Sequence, residues 1–309
     1  MLKVAFFGSE GPFSRTTLQA VLDRHTVVAA ICSPPPGGTG FWPAARRWAR
    51  PLVRVLRRRR GASVAAIARA HTIPYREVAG RNASDVITLL DRIQPDIICI
   101  AGYRWVLPRA IFARPPLGAI NLHASLLPRH RGPWPLFWIY HSDDRVTGVT
   151  IHRLAEGVDT GPVVLRSAYP LPRGYAVEEL NRRNVERGAA AMQEVLDLLT
   201  RNAAPGEPQD ERLATAAPRV APGTRTIDFA TWDVERVWHF LVGLLPRYHE
   251  PLFDGAGRAV RYRAVSGYER CPHDRAPGSV ERSGPDALLF ACDGVVRLST
   301  RPEQHRAGP

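Results

Sequence analysis

The sequence predicts an α/β protein with a Rossmann-like, mostly parallel sheet in its first domain and a smaller β-rich domain after it. Through residues 1–202, short apolar runs rich in β-branched residues alternate with segments that have the apolar spacing of a helix. This alternation is typical of a parallel sheet with helices on both faces. Beyond a polar stretch rich in Pro and Gly, short apolar runs follow one another between Gly, Pro and Asp, which favours further strands.

The pattern of apolar residues places the elements of the first domain in chain order. The predicted strands are residues 4–7, 27–31, 97–101, 119–122, 149–151 and 163–169. The predicted helices are residues 15–24, 84–93 and 177–201, the last with a long apolar side. Ligands of such sheets collect at the carboxyl ends of the strands, so we expect the functional site at that edge.

Three segments make up the predicted domain organisation. They are a catalytic domain at 1–202, a linker at 203–225 that starts with the Pro- and Gly-rich stretch, and a small β-rich domain at 226–309. Within the last segment, a helix is predicted at 233–245, and strands are predicted at 259–265, 278–281, 287–291 and 295–299.

The charge of the chain is high and comes almost entirely from arginine. The formal net charge is +13, and Lys3 is the only lysine among 42 basic residues. Such a charge permits nucleic acid, nucleotide or anionic lipid partners but identifies none of them. Residues 44–60, after a Pro- and Gly-rich loop, carry much of it and have two open interpretations. They form a basic amphipathic element that grips phosphate or an acidic surface, or a solvated helix whose apolar stripe packs on the domain.

Cysteine usage and the start of the chain bear on the compartment. The four cysteines lie far apart without a C-x-x-C or paired metal spacing, so we predict buried thiols and no metal. Residues 1–8 have the pattern of a buried strand rather than of a signal peptide. No apolar run approaches the roughly 18 residues that span a bilayer. We therefore predict a cytoplasmic protein without a membrane span.

Three polar residues are candidates for catalysis. Two lie at the end of one predicted strand, and the third follows a later strand. Asn121 lies near the end of the predicted strand at 119–122 and His123 follows it, and Asp159 precedes Thr160 and Gly161. An amide, an imidazole and a carboxylate suit the attack of an amine on a formyl carbon. The amide and a protonated imidazole can hold the oxyanion that forms. The carboxylate raises the basicity of the imidazole and can accept the proton of the amine.

The surrounding sequence is far more specific than these three residues alone. Residues 121–132 read Asn-Leu-His-Ala-Ser-Leu-Leu-Pro-Arg-His-Arg-Gly, residues 147–152 read Thr-Gly-Val-Thr-Ile-His, and Asp-Thr-Gly follows at 159–161. This run resembles the 10-formyltetrahydrofolate-dependent formyltransferases, which include methionyl-tRNA and amino-sugar N-formyltransferases. The resemblance covers most of the chain except residues 33–62 and the last few. It implies an OB-like fold for the small C-terminal domain.

The resemblance also implies roles for individual residues. Asn121, His123 and Asp159 would be catalytic, and the cosubstrate would be N10-formyltetrahydrofolate, without a metal. The folate would lie against the backbone of two loops, because a pterin edge presents amide-like donors and acceptors that match main-chain groups. The residues of these loops are Trp105, Val106, Leu107, Ala155, Glu156, Gly157 and Val158. The formyl-bearing end would be framed by Ser125, Leu126, Leu127 and Pro128.

The acceptor is the least determined part of the interpretation. Tyr103, Arg104, Arg131 and Trp134 are the expected acceptor-binding residues. The run Gly-Tyr-Arg at 102–104 is similar to that of sugar formyltransferases, and the chain ends soon after residue 299. Both features favour an amino sugar or another small metabolite over tRNA. Methionyl-tRNA formyl transfer stays an alternative, as does hydrolysis of formyltetrahydrofolate. His130, His141 and His152 are interpreted as structural or surface residues, and the sequence leaves the oligomeric state open.

Overall fold

The computed structural model describes residues 1–34, 62–78, 83–284 and 286–299. The basic segment at 44–60, with its two open interpretations, lies outside the described residues, and so do the last residues of the chain. Within the described ranges, none of the helices combines the length and the hydropathy that a membrane span requires.

The elements of the described chain follow one another from β1 to β13 and from α1 to α7. The strands are β1 Lys3–Gly8, β2 Thr26–Cys32, β3 Tyr75–Glu77, β4 Ile97–Ala101, β5 Ala119–His123, β6 Val146–Arg153, β7 Val163–Pro170, β8 Leu252–Phe253, β9 Ala259–Val260, β10 Ala264–Arg270, β11 Val280–Ser283, β12 Asp286–Phe290 and β13 Gly294–Ser299. The helices are α1 Pro12–Leu22, α2 Val64–Ala70, α3 Ala83–Ile93, α4 Arg109–Phe112, α5 Pro135–His141, α6 Val177–Thr200 and α7 Val234–Leu244.

A seven-stranded sheet carries the first part of the fold, in the order β3-β2-β1-β4-β5-β6-β7. Strands β1 to β5 pair in parallel with their neighbours in the sheet, whereas β5 and β6 pair antiparallel. The predicted mostly parallel sheet is therefore confirmed. The strand order reverses between β1 and β4, where open α/β sheets bind ligands, and β5 is the strand that pairs with β4 on its other side.

Two apolar layers cover the sheet, one on each face. Alternate residues of a strand point to opposite faces. Accordingly Phe6 and Cys99 belong to a core shared with α1, α2 and α6, whereas Phe7 and Ile98 belong to a second core shared with α3 and α4. Burial on both faces explains why these strands read as continuous apolar runs in the sequence.

Contacts between residues divide the chain into two compact units. The first comprises Met1–Arg131, Gly148–Ala168 and Asn184–Thr215, and the second comprises Gly132–Thr147, Tyr169–Arg183 and Ala216–Pro309. The boundary by contacts thus falls inside the predicted linker at 203–225, and the second unit also takes in segments from within 1–202. The functional division into a catalytic domain and a C-terminal domain stays a prediction.

The second unit contains the predicted small β-rich part. Strands β10, β13, β12 and β11 form an antiparallel sheet in that order. The predicted single strand at 259–265 is wrong, because β9 pairs with β8 whereas β10 pairs with β13. Between β9 and β10, the hydroxyl of Tyr262 accepts a hydrogen bond from the backbone N–H of Glu250 at 2.9 Å. Whether these strands close into an OB-like barrel stays a prediction.

Gly148 in β6 lies at a tightly packed position of the sheet, where a side chain would have no room. A Cβ atom there would lie 2.2 Å from the carbonyl oxygen of Ser167 and 2.8 Å from Cδ2 of Leu126. We expect Gly148→Ala to lower the free energy of unfolding by about 1–3 kcal/mol, since overpacking a close contact forces the backbone to shift. Chemical denaturation measures the change. Gly255→Ala is the control, because nothing lies within 4 Å of that position, and equal stability of both variants would contradict the packing.

Candidate active site

Strand β5 presents two polar side chains on one face of the sheet. Ile120 and Leu122 are buried in the core with α1, α2 and α6. The alternation of a strand therefore turns Asn121 and His123 together toward the opposite face. Asn121 lies within β5 and His123 is its last residue, so both are placed by regular backbone rather than by a loop.

The antiparallel partner β6 adds a histidine to this pair. In the register of the two strands, Asn121 lies opposite His152 and His123 lies opposite Thr150. The Nδ2 atom of Asn121 lies 3.0 Å from Nε2 of His152, which is 2% exposed. The sequence alone predicts a structural or surface role for His152. The polar residues at alternate positions of an otherwise apolar strand are the signal that could have found it.

Asp159 completes the group from the loop that joins β6 to β7. It adopts a left-handed backbone conformation with φ of 53°, which Asp tolerates better than most residues. One carboxylate oxygen lies 3.5 Å from Nδ1 of His123. The other lies 3.4 Å from Nδ2 of Asn121 and 3.4 Å from Nε2 of His152. The structure thus brings together the three residues predicted to be catalytic, with His152 beside them.

Backbone carbonyl groups determine which nitrogen of each imidazole carries the proton. Nε2 of His123 lies 2.8 Å from the carbonyl oxygen of His130, and Nδ1 of His152 lies 2.9 Å from that of Arg153. A carbonyl only accepts, so these two nitrogens are the N–H donors of the neutral rings. Nδ1 of His123 then faces Asp159 without a proton of its own, and Nε2 of His152 accepts from the amide of Asn121.

Burial and charge act in opposite directions on His123. Its pKa lies below the ordinary value of 6.5, mainly because burial disfavours the imidazolium. The neighbouring Asp159 carboxylate counteracts this by favouring the charged ring, and His152 adds a small effect in the same direction as burial. The hydrogen bond to the carbonyl of His130 acts in the same direction as Asp159, but burial outweighs both, so the pKa of His123 stays lowered.

The loop after β5 is held by side chains of the neighbouring strands. The hydroxyl of Thr150 donates to the carbonyl oxygen of Ser125 at 2.7 Å and accepts from the N–H of Leu127 at 3.1 Å. Nε of Arg166 donates to the carbonyl oxygen of Leu127 at 2.8 Å. The predicted formyl-end residues from Ser125 to Pro128 are thus ordered by hydrogen bonds and lie directly after His123.

The two loops predicted to hold folate present exposed apolar side chains. Val106, after β4, is 56% exposed, and Val158, after β6, is 48% exposed. Leu107 is 8% exposed and belongs to the core, so only its backbone is available to a ligand. Nε1 of Trp105 is buried and has no hydrogen-bond partner among the described residues. Glu156 pairs at the surface with Arg109. The folate contacts of these loops stay a prediction.

The residues predicted for the acceptor lie in different surroundings. The ring of Tyr103 stacks edge-on against Phe7 with centroids 5.4 Å apart, and burial raises the pKa of Tyr103 to about 12. Nε of Arg104 is buried without a partner in the described part of the chain. Arg131 is bound by Gln209 and Glu211. Trp134 belongs to the second unit. Their role in acceptor binding stays a prediction.

Comparisons with known proteins bear on the family and the fold. A family model described as formyl transferase matches residues 2–196. The chain is 30% identical over 296 residues to a methionyl-tRNA formyltransferase from Geotalea uraniireducens, an alignment that covers 95% of this chain and 87% of that protein.

Two solved structures share the fold. One is an N-formyltransferase from Helicobacter canadensis in complex with folinic acid and dTDP-3-aminofucose, with a TM-score of 0.67, 13% identity and coverage of 97% of this chain and 99% of that one. The other is HypX from Aquifex aeolicus in complex with tetrahydrofolic acid, with a TM-score of 0.61, 15% identity and coverage of 96% and 43%. At these identities they show the fold alone, and they confirm the predicted fold class.

The opposing effects on His123 are testable by titration. We expect Asp159→Asn to lower the pKa of His123 further, because the neutral amide no longer favours the imidazolium. NMR titration of the imidazole nitrogens measures it. The control is Asp197→Asn, which removes a carboxylate 3.6 Å from His25. This control should lower the pKa of His25 and leave that of His123 unchanged. A pKa of His123 that is unchanged or raised in Asp159→Asn would contradict the assigned contact.

Proposed function

The chain belongs to the formyl transferase family, and we propose that it moves the formyl group of N10-formyltetrahydrofolate to a primary amine of a small metabolite such as an amino sugar. The observation that carries the proposal is the convergence of Asn121 and His123 on the carboxylate of Asp159. These side chains offer an N–H donor, a neutral imidazole and a base at the carboxyl edge of the sheet, where a ligand is expected.

Each residue of the group has a separate task in the proposed transfer. A neutral amine attacks the formyl carbon, and Asn121 donates a hydrogen bond to the oxygen on which negative charge develops. Asp159 accepts the proton that the attacking amine loses. Asp159 passes this proton to Nδ1 of His123, since Nε2 already donates to the carbonyl of His130. The imidazolium so formed helps to stabilise the negative oxygen and returns the proton to N10 as the bond between N10 and the formyl carbon breaks.

The residues around the group fit a folate cosubstrate. Val106 and Val158 expose apolar side chains on two loops of the same unit, and Nε1 of Trp105 is a buried donor without a partner among the described residues. An aromatic ring with polar edges would cover such side chains and satisfy such a donor. The folate-containing structures from Helicobacter canadensis and Aquifex aeolicus support the same proposal.

Arg104 supports an anionic acceptor. Its Nε atom is buried after β4 and has no hydrogen-bond partner in the described ranges. A guanidinium prepared in this way suits the phosphates of a nucleotide-linked amino sugar. The run Gly-Tyr-Arg at 102–104 and the amino-sugar complex of the Helicobacter canadensis enzyme support this choice. The second candidate is methionyl-tRNA, which the name of the Geotalea uraniireducens relative favours.

Substitution of the three proposed catalytic residues tests the chemistry. We expect Asn121→Ala, His123→Ala and Asp159→Asn each to lower kcat by at least about 100-fold, since acid–base groups contribute about 10²–10⁴ in rate. Circular dichroism checks that the variants fold. Asp197→Asn serves as the matched control, because Asp197 also lies beside a buried histidine but belongs to no part of the proposed site. A folded Asp159→Asn variant with wild-type turnover would refute the role of the carboxylate.

Separate incubations with each candidate acceptor test which amine receives the formyl group. The wild-type protein is incubated with N10-formyltetrahydrofolate and dTDP-3-aminofucose, methionyl-tRNA or buffer alone, and products are identified by mass spectrometry. We expect formylated amino sugar, with kcat/KM lowered by Arg104→Met because the guanidinium no longer binds the phosphates. Efficient formylation of methionyl-tRNA that falls steeply with added salt would assign the second candidate instead. Formate release in buffer alone would indicate the hydrolase.

A further inference from the structure

The loop that carries Asp159 is held by a side chain from far along the chain. The amide of Gln209 donates one N–H to the carbonyl oxygen of Asp159 at 2.8 Å and to that of Gly161 at 2.7 Å. Gln209 lies in the segment that the sequence predicts as a linker, but by contacts it belongs to the first unit. Both ends of the short run from Asp159 to Gly161 are thus bound by a single side chain.

Arg131 determines which way the amide of Gln209 faces. Its Nε and Nη2 atoms donate to Oε1 of Gln209 at 3.1 and 2.8 Å. The guanidinium is in turn held by both carboxylate oxygens of Glu211 at 2.8 Å. Because the amide oxygen accepts from a cation, the amide nitrogen must face the two carbonyls. The amide side chain thus accepts hydrogen bonds through its oxygen and donates through its nitrogen.

The bound loop has little freedom to relax by itself. A Cβ atom at Gly161 would lie 1.8 Å from the carbonyl oxygen of Arg153, so the two stretches of backbone are in direct contact. Asp159 has a positive φ, which costs free energy unless the surrounding contacts maintain it. The N–H donors of Gln209 supply such contacts on either side of Thr160.

We propose that Gln209, oriented by Arg131, is a positioning residue that sets the carboxylate of Asp159 against His123 and Asn121 through the backbone of its loop. This proposal rests on the proposed function, in which Asp159 acts as the base. It also gives Arg131 a different task from acceptor binding, since the side chain is 12% exposed and its donors are engaged by Gln209 and Glu211.

Two substitutions separate the donor side of the amide from its acceptor side. Gln209→Met removes both sets of hydrogen bonds. Gln209→Glu keeps an acceptor for Arg131, so the segment around residue 209 stays bound. It replaces the amide N–H donor by a carboxylate oxygen, which cannot donate to the carbonyls of Asp159 and Gly161. The matched control is Gln193→Met, because Gln193 also donates its amide N–H to a backbone carbonyl, that of Ala20, at 2.6 Å in the same unit.

The first readout is the pKa of His123 by NMR, which needs no acceptor. In Gln209→Met, which adds no charge, displacement of the Asp159 carboxylate should lower this pKa, as we expect for Asp159→Asn, whereas a residue that only stabilises the fold would leave it unchanged. The second readout is turnover of N10-formyltetrahydrofolate with dTDP-3-aminofucose and with methionyl-tRNA. We expect kcat to fall about 10–100-fold in both Gln209 variants, with KM for the folate nearly unchanged, since small misplacements of reacting groups cost about this much.

The outcomes distinguish the positioning role from the proposed function. A wild-type pKa of His123 together with a loss of turnover no larger than that of Gln193→Met would overturn the positioning role. If Asp159→Asn itself keeps wild-type turnover, the proposed base is wrong, whatever the Gln209 variants do. Low kcat in Asp159→Asn and in both Gln209 variants, with the lowered pKa of His123, supports both proposals.

Discussion

The antiparallel pairing of β5 with β6 is the contact on which the site depends. The antiparallel register places His152 opposite Asn121 and ends β6 at Arg153, opposite Ile120 near the start of β5, where the loop to Asp159 begins. That loop is short enough to bring Asp159 back over β5. One change of strand direction at the border of a parallel sheet therefore assembles an amide, two imidazoles and a carboxylate on one face.

Burial and the charge of Asp159 act in opposite directions on the pKa of His123. Burial disfavours the imidazolium of His123, because the charged ring loses its hydration. Asp159 restores part of the tendency to take up a proton, and only at Nδ1, since the carbonyl of His130 occupies Nε2. The carbonyl thus selects the atom that exchanges the proton, and the carboxylate determines how readily it does so.

Local pattern predicts the sheet and the shared face of Asn121 and His123, whereas Asp159 is predicted through the family resemblance, and neither predicts which residues hold the group together. Asn121 and His123 are two apart in one strand, so alternation alone predicts that they share a face. His152 and Gln209 are different cases. His152 joins the site only through the register between two strands, and Gln209 reaches Asp159 across 50 residues from a Pro- and Gly-rich stretch that has the pattern of a linker. The hydrogen bonds of Gln209 leave no periodicity in the sequence, whereas the alternation of Thr150 and His152 in β6 is a signal for the histidine.

Positioning through the backbone suits the role of base that we propose for Asp159. A guanidinium bonded directly to Asp159 would favour its charged form, lower its pKa and so weaken it as a proton acceptor. Here the cation of Arg131 binds the oxygen of Gln209 instead, and the neutral amide passes the orientation on to two carbonyls. The arrangement fixes where the carboxylate lies without placing the positive charge of Arg131 against it, so geometry and basicity are controlled by separate contacts.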